Sequence, residues 1–428
     1  MTGRRPSTRN RIPRSHVRTA AVLLSSALVA GCGLVVPGGD AKSAGEQPVT
    51  VMTWAPEKTK ATNMPGMPAM ARAYARWINA HGGIGGRPLK VLTCNDHNDS
   101  VDAARCARSA VQHHAVAVVG SYSQHSNAFL PPLESAGIPY IGGYGATEAE
   151  FTSPLSYPVN GGQAALLAGN GRQLSEDCAR TVLIRPDSIA GDQLAPLLDS
   201  GLALRHRPGS VDMLAADDAT DYADQARRAL DTASRAPQGE GCVAAVLGER
   251  TNTFFDSFRR LREDYPSVHT ATVLGSVDQT AVDRTGGAES PYEGAYVTGW
   301  YPASGDARWK PMKRAINEQA FGDNRIDPAD AGVQTTWIAY EVLRQVVESA
   351  GGGAVTARTV RTALDDDLKV TTGGLTPPLR WGYGHMSSVG DFPRLVNARV
   401  TFQKVVSGRL KATRKSSVDV TDTLARLP

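Results

Sequence analysis

Several signatures of enzyme chemistry are missing from this 428-residue chain. It contains no Gly-Lys pair, which excludes a Walker A phosphate loop, and no Gly-x-Ser-x-Gly elbow, which disfavours an α/β-hydrolase. It also lacks the Cys-x-x-Cys pairs that are typical of structural zinc sites. The run Asp96-His97-Asn98-Asp99 could ligate a metal ion, but we expect it to lie on a surface loop beside a disulfide. We therefore expect a non-enzymatic protein with no cofactor and no metal.

Acidic residues are absent before Asp40, whereas six arginines lie within the first eighteen residues. An apolar stretch over 19–29 follows, shorter than the ~20 residues of a membrane-spanning helix, and small residues then precede Cys32. This order predicts an export signal over 1–31 and an extracytoplasmic protein. The alternative is an ordinary signal peptide in which the cysteine occurs by chance.

The charge balance changes once the predicted signal is removed. The full chain has 46 basic and 42 acidic residues, and removal of six arginines leaves 40 against 42. The mature chain would carry a net charge of −2, so its charge gives no reason to expect a nucleic-acid partner.

The small residues before Cys32 resemble the lipobox of bacterial lipoproteins, in which the cysteine receives a diacylglycerol and becomes the new N-terminus. The resemblance implies lipidation at Cys32 and attachment to the cell membrane. Residues 32–47, which contain four glycines and few large apolar side chains, would form a flexible tether between the lipid and the folded protein.

The other four cysteines form an even set in a protein predicted to be exported, which favours disulfides. Cys94 ends a strand-like run and Cys106 lies in the following helical segment. Cys178 and Cys242 each precede a strand-like run, and neighbouring parallel strands would bring these two ends together. We expect the pairs Cys94–Cys106 and Cys178–Cys242. Four free thiols or a metal site remain the alternative.

Strand-like and helical segments alternate from Val49 onward. Residues 49–54 and 89–93 are strand-like, and apolar residues recur at helical spacing over 70–78 between them. A second series of the same design follows over 181–274. Strands separated by helices of this length predict right-handed crossovers and parallel sheets. We expect an α/β fold with two doubly wound parallel-sheet lobes.

Three glycine-containing segments, 159–162, 293–301 and 371–380, are expected to cross between these lobes as a hinge. The expected segments are 48–159 plus 300–371 for lobe one, 162–293 plus 380–412 for lobe two, and a mobile tail over 413–428.

Three motifs in order carry a resemblance to the branched-chain amino-acid (Leu/Ile/Val) binding proteins, the type I periplasmic binding proteins of ABC importers. Residues 78–87 read INAHGGIGGR and resemble the family segment IN-x-x-GGI-x-G. Residues 118–124, VVGSYSQ, resemble its strand-G-x-x-S-S turn. Residues 137–141, GIPYI, with 145–151, GATEAEF, resemble G-I-P-x-I followed by AT-x-x-E-L. The resemblance implies a three-crossing hinge and a ligand cleft between the lobes.

The family holds the carboxylate and amino group of an amino acid at the second and third of these turns. Carried over by position, the contacts would be Ser123 and Gln124 at one turn and Gly145 and Thr147 at the other. Gln124 stands where the family usually has a serine. Plain helix capping is the alternative role for the serines.

The remaining candidates come from the residues that follow other strands. In lobe two, Asp187, Glu249 and Asp278 could bind a ligand ammonium group, although each could also be a solvated loop residue. In lobe one, Trp54 could line the cleft together with Tyr122 and Tyr144, and burial in the core is the alternative.

The function that follows is capture of a small polar solute, an amino acid or a related compound, and its delivery to the permease subunits of an ABC importer. The alternative is an ectodomain of the same fold that senses a ligand or docks a partner in signalling. The sequence does not separate the two, because the docking surface is not a motif.

Overall fold

A computed structural model describes residues 47–427 apart from 61, 217–218 and 238–239, and it describes Ile189, Ala190 and Glu249 by their backbone alone. The predicted signal, Cys32 and nearly all of the predicted tether lie outside the described residues. Within the described part of the chain, no helix combines the length and the apolar character needed to cross a bilayer.

The first sheet is parallel throughout. Its strands are β1 (Val49–Trp54), β2 (Leu89–Cys94), β3 (Ala117–Val119), β4 (Tyr140–Ile141) and β5 (Ser156–Tyr157), in the order β2-β1-β3-β4-β5. The connecting helices are α1 (Gly66–Ala80), α2 (Ser100–Gln112), α3 (Ser126–Ala136) and α4 (Ala149–Thr152). Side chains alternate across the sheet, so that Val51 packs in the core on the α1 side and Met52 in the core on the side of α2 and α3.

The second series begins with α5 (Gly162–Asp177) and forms a second sheet. Its strands are β6 (Arg180–Pro186), β7 (Val211–Ala215), β8 (Gly241–Ala245), β9 (His269–Val273) and β10 (Tyr296–Gly299). The helices between them are α6 (Ile189–Asp192), α7 (Leu194–Leu202), α8 (Ala223–Ser234), α9 (Thr251–Arg262) and α10 (Gln279–Arg284). Helices α5 and α7 pack together on one face, and α8 and α9 pack together on the other.

The chain then returns to the first sheet. Helices α11 (Lys310–Gln319) and α12 (Ala331–Ser349) pack against α1, and α13 (Ala357–Asp365) packs against α12. Because α12 also contacts β3 and β4, it completes the layer on that face of the first sheet. The fold is therefore α/β with two doubly wound lobes, as predicted.

The last segment holds a small hairpin, β11 (Ser387–Val389) with β12 (Phe392–Leu395), and then the strands that finish the second sheet. These are β13 (Arg399–Val406), β14 (Arg409–Ala412) and β15 (Val418–Asp419), followed by α14 (Thr421–Leu424). Strand β13 is antiparallel to β10, β14 and β15, so the second sheet is mixed at this edge, with the order β14-β13-β10-β9-β8-β6-β7. The expected mobile tail after residue 412 is instead packed, because β15 pairs with β13 and Leu424 is buried.

Three crossing segments lie side by side between the lobes. Asn160 donates a hydrogen bond to the Tyr301 hydroxyl at 2.9 Å, and Asn397 donates one to the carbonyl of Val159 at 3.0 Å. The third crossing thus lies near Asn397 and not at the expected 371–380. The segment that was expected to cross stays with the first lobe. The Trp381 indole donates to the Pro158 carbonyl at 2.9 Å, and the Arg394 guanidinium donates to the Ser156 carbonyl at 2.7 Å.

Both predicted disulfides are present. Cys94 at the end of β2 is bonded to Cys106 in α2, with Cα atoms 5.7 Å apart. Cys178 follows α5 and is bonded to Cys242 at the start of β8, with Cα atoms 5.8 Å apart. The alternatives of four free thiols or a metal site are wrong, since all four cysteines are in disulfides. Parallel pairing of β6 with β8 aligns the two N-terminal ends that Cys178 and Cys242 occupy.

Candidate functional site

The loops that follow the strands of the two sheets meet between the lobes. Tyr144, after β4, reaches the loop after β9, where a Cβ atom added to Gly275 would lie 2.3 Å from the Tyr144 hydroxyl oxygen. Thr62, after β1, approaches the loop after β8, where a Cβ added to Gly248 would lie 3.7 Å from the Thr62 hydroxyl oxygen. The carboxyl ends of parallel strands are where α/β proteins bind ligands. This region between the lobes is the candidate site.

Three aromatic side chains, Tyr122, Tyr144 and Trp300, form one wall of the site and are called the aromatic cluster below. The rings of Tyr122 and Tyr144 lie edge to face with centroids 5.1 Å apart, and those of Tyr144 and Trp300 lie edge to face at 4.9 Å. The Trp300 indole donates to the carbonyl of Gly162 at 2.8 Å, which fixes this ring at the hinge. The Tyr122 hydroxyl accepts a hydrogen bond from the Gln124 amide at 3.0 Å.

Tyr144 differs from its two neighbours in the cluster because its hydroxyl has no hydrogen-bond partner among the described residues. The residue is only 6% exposed. Burial raises the pKa of this hydroxyl, and the charges of Asp330 and Asp278 raise it further, so both carboxylates lie in its electrostatic neighbourhood. The hydroxyl oxygen itself is not sealed from solvent, so it can hydrogen-bond to water or to a ligand.

Asp278 and Asp330, whose charges raise the pKa of this hydroxyl, are themselves influenced by Asp327, whose charge raises the pKa of both. Asp278 caps α10 in the second lobe by accepting the Ala281 N–H at 2.8 Å. Asp330 caps α12 in the first lobe by accepting the Val333 N–H at 2.7 Å. Burial raises the pKa of Asp330 to about 7, and the charges of Asp278 and Asp327 contribute. Burial likewise raises the pKa of Asp278.

The turn after β4 is occupied by a side chain of the protein itself. The Glu150 carboxylate accepts the backbone N–H groups of Gly145 at 3.1 Å, Ala146 at 2.9 Å and Thr147 at 3.3 Å. Burial raises the pKa of Glu150 to about 7, although these hydrogen bonds oppose the shift. The N–H groups that the resemblance assigned to a ligand carboxylate are therefore already hydrogen-bonded.

The turn after β3 is also internally bonded. The Ser123 hydroxyl accepts the His125 N–H at 3.1 Å. The Asp96 carboxyl is buried, and burial raises its pKa. The Thr147 hydroxyl lies 2.5 Å from that of Ser126 at the start of α3. Beside this pair is a cavity of about 510 Å³, which Gln124 and Thr147 help to line together with other first-lobe residues.

The remaining predicted site residues are dispersed. Trp54 is fully buried in the core, 5.2 Å from the ring of Phe129, because it lies on the same face of β1 as Met52. Its predicted place in the cleft is thus wrong. Asp187 is exposed at the end of β6, and Glu249 lies in the short helical turn Gly248–Arg250. No group of three or more His, Cys, Asp or Glu side chains in the described ranges is arranged to hold a metal ion.

Sequence reasoning missed Trp300, Asp327 and Asp330. Trp300 lies within a predicted crossing segment, and an aromatic residue flanked by Gly299 and Tyr301 in a hinge is a signal that could have been followed. Asp330 gives no such signal, because an aspartate before a helix is an ordinary N-cap. Its approach to Asp278 depends on how the lobes face each other.

Comparison with known proteins identifies the family. The family model described as periplasmic binding protein matches residues 59–391. No curated protein matches the chain.

Three solved structures have the same fold. A possible leucine/isoleucine/valine-binding protein from Rhodopirellula baltica SH 1 is 15% identical over 88% of this chain and 98% of its own, with a TM-score of 0.68. A leucine-binding protein from Thermotoga maritima MSB8 is 14% identical over 87% and 99%, with a TM-score of 0.65. An ABC-transporter solute-binding protein from Rhodopseudomonas palustris HaA2, in complex with p-hydroxybenzoic acid, is 12% identical over 87% and 97%, with a TM-score of 0.69.

At these identities the structural likeness shows the fold alone, whereas the family model spans most of the chain. The resemblance noted in the sequence is confirmed, and the chain belongs to the periplasmic binding protein family, whose members include solute-binding proteins of ABC transporters.

Proposed function

We propose that this protein captures a small solute between its two lobes outside the cytoplasm and delivers it to the permease of an ABC importer. The observation that carries the proposal is the meeting of both sets of strand-end loops around the aromatic cluster, beside three crossing segments. Such crossings permit hinge closure, and a ligand that contacts both lobes favours the closed state.

The anchor and the location belong to the same proposal. A lipid on Cys32 would hold the protein at the outer face of the membrane, near the permease. The two disulfides support export, since such bonds persist in oxidising compartments.

A thermal-shift screen of amino acids, aromatic acids, amines and sugars tests solute binding. A solute at 100 times its dissociation constant should add about 2.7 kcal/mol to the free energy of unfolding. Small-angle scattering should then show a smaller radius of gyration with the solute than without it. A tightly bound solute that leaves the radius unchanged would contradict the hinge.

The predicted ligand contacts can be tested with one bulky substitution and a matched control. Thr147→Trp, beside the turn after β4, should abolish solute binding and compaction while the protein stays folded. Val101→Trp adds the same bulk at a position of α2 that is 68% exposed, and it should leave both unchanged. Equal affinity in the two variants would remove Thr147 from the site.

A further inference from the structure

The hairpin of β11 and β12 is fixed to the first lobe. The Arg394 guanidinium of β12 donates to the carbonyl of Ser156 in β5 at 2.7 Å. The Phe392 ring packs edge to face against Phe151 of α4, with centroids 5.5 Å apart. The hairpin therefore moves with the first lobe, and the chain crosses to the second lobe only after it, near Asn397.

The C-terminal segment is fixed to the second lobe. Strand β15 pairs with β13, and Arg172 of α5 donates to the carbonyl of Asp419 at 2.7 Å. Helix α14 packs against α5 and α7, and its Leu424 is fully buried. The Val420 N–H donates to the carbonyl of Ala398 at 3.1 Å, directly after the third crossing. The segment thus lies beside the hinge and moves with the second lobe.

The hairpin and α14 touch each other across the hinge. Helix α14 packs against β11, and a Cβ atom added to Gly390 in the hairpin turn would lie 3.9 Å from the Leu424 carbonyl oxygen. Val389, the one apolar residue of β11, is partly buried against the same core as Leu424. This hairpin–α14 contact joins the two lobes outside the three crossings and outside the strand-end loops of the cleft.

The lobes also touch at the cleft in the same structure. The Tyr144 hydroxyl lies against the backbone of Gly275, and Thr62 approaches Gly248. The cleft is therefore closed while the hairpin–α14 contact is formed. Hinge opening would rotate the hairpin relative to α14, because the two belong to different lobes. A contact that is formed in only one arrangement shifts the equilibrium toward that arrangement.

We propose that the hairpin–α14 contact holds the lobes in the closed arrangement and thereby sets the fraction of ligand-free molecules whose cleft is closed. For a solute that binds the closed form, the apparent dissociation constant is the intrinsic constant divided by this fraction. The contact would then raise the affinity for a solute that it does not touch. This consequence rests on the proposed function, whereas the contact itself can be tested on the ligand-free protein.

One substitution with a matched control tests the contact. Val389→Asp places a charge in it, and Ser388→Asp places the same charge at the exposed neighbouring position, on the opposite face of β11. Loss of the contact should lower the ratio of closed to open molecules by about threefold to tenfold. Small-angle scattering of the ligand-free proteins should then give a larger radius of gyration for Val389→Asp than for the wild type and for Ser388→Asp.

Hydrogen exchange measured by mass spectrometry locates the change. In Val389→Asp, the amides of the cleft loops 144–147 and 274–277 should exchange faster than in the wild type, while those of β1 and β8 should keep their rates. A chain that ends after Val420 lacks α14 and serves as a second variant. It should show the same larger radius and the same faster exchange in the two loops.

The outcomes decide the proposal without reference to any solute. A larger radius and faster exchange confined to the cleft loops, in both variants and not in Ser388→Asp, support it. Wild-type radius and exchange in either variant overturn it. Faster exchange in β8 as well would mean that α14 only stabilises its own lobe, and would also overturn it, as would an equal change in Ser388→Asp. Solute capture would stand in each of these cases, because the solute screen tests it separately.

Discussion

Glu150 makes the stability of the protein depend on pH in a way that a single substitution should remove. The carboxyl is buried and its pKa is raised from 4.5 to about 7. Between these values the unfolded chain releases the proton while the folded protein keeps it. Unfolding therefore becomes easier as the pH rises through this window, and the loss stays constant above it.

The magnitude follows from the size of the shift. Each pH unit in the window lowers the free energy of unfolding by about 1.4 kcal/mol, so the full shift corresponds to about 3 kcal/mol. Glu150→Gln cannot ionise. Its free energy of unfolding should be lower than that of the wild type by a contribution that does not change with pH. The reason is that the amide offers one acceptor oxygen to the three N–H groups, whereas the carboxylate offers two.

The assay is urea unfolding of both proteins between pH 4.5 and 7.5. Since Asp330 titrates in the same range in both proteins, the informative quantity is the difference between them. The free energy of Glu150→Gln minus that of the wild type should rise by about 3 kcal/mol across the range. A difference in free energy that does not change with pH would refute the reasoning. It would mean that the three N–H donors offset the effect of burial and keep the pKa of Glu150 near that of an exposed glutamate.

Three further predictions concern the lobes and the anchor. Replacing both Cys178 and Cys242 with alanine should lower the free energy of unfolding by about 4 kcal/mol, because the bond closes a loop of 64 residues; urea unfolding with an unchanged midpoint would contradict this. Gly275→Ala should weaken solute binding, because the new Cβ would meet the Tyr144 hydroxyl, and small-angle scattering with solute should still show the radius of gyration of the open form. Tight binding with full compaction would count against the contact. Cys32→Ser should lose incorporation of labelled palmitate, and undiminished labelling would rule out lipidation at this residue.

Local patterns were enough to predict the fold. Alternation of strand-like and helical segments from Val49 onward predicted two parallel α/β lobes, and three motifs in the first lobe indicated the family. The pairing of Cys178 with Cys242 followed from the position of each before a strand. These inferences succeeded because periodicity and strand order depend on neighbouring residues along the chain.

The cleft was decided by the tertiary structure. The sequence could not reveal that Trp54 points into the core, since the face of β1 that a residue occupies depends on which helices cover each side. It could not show that Glu150 binds the turn that precedes it in place of a ligand. Nor could it show that the charge of Asp278 raises the pKa of Asp330, which lies 52 positions further along the chain and in the other lobe. Contacts between lobes depend on the path of the hinge, and no local pattern encodes that path.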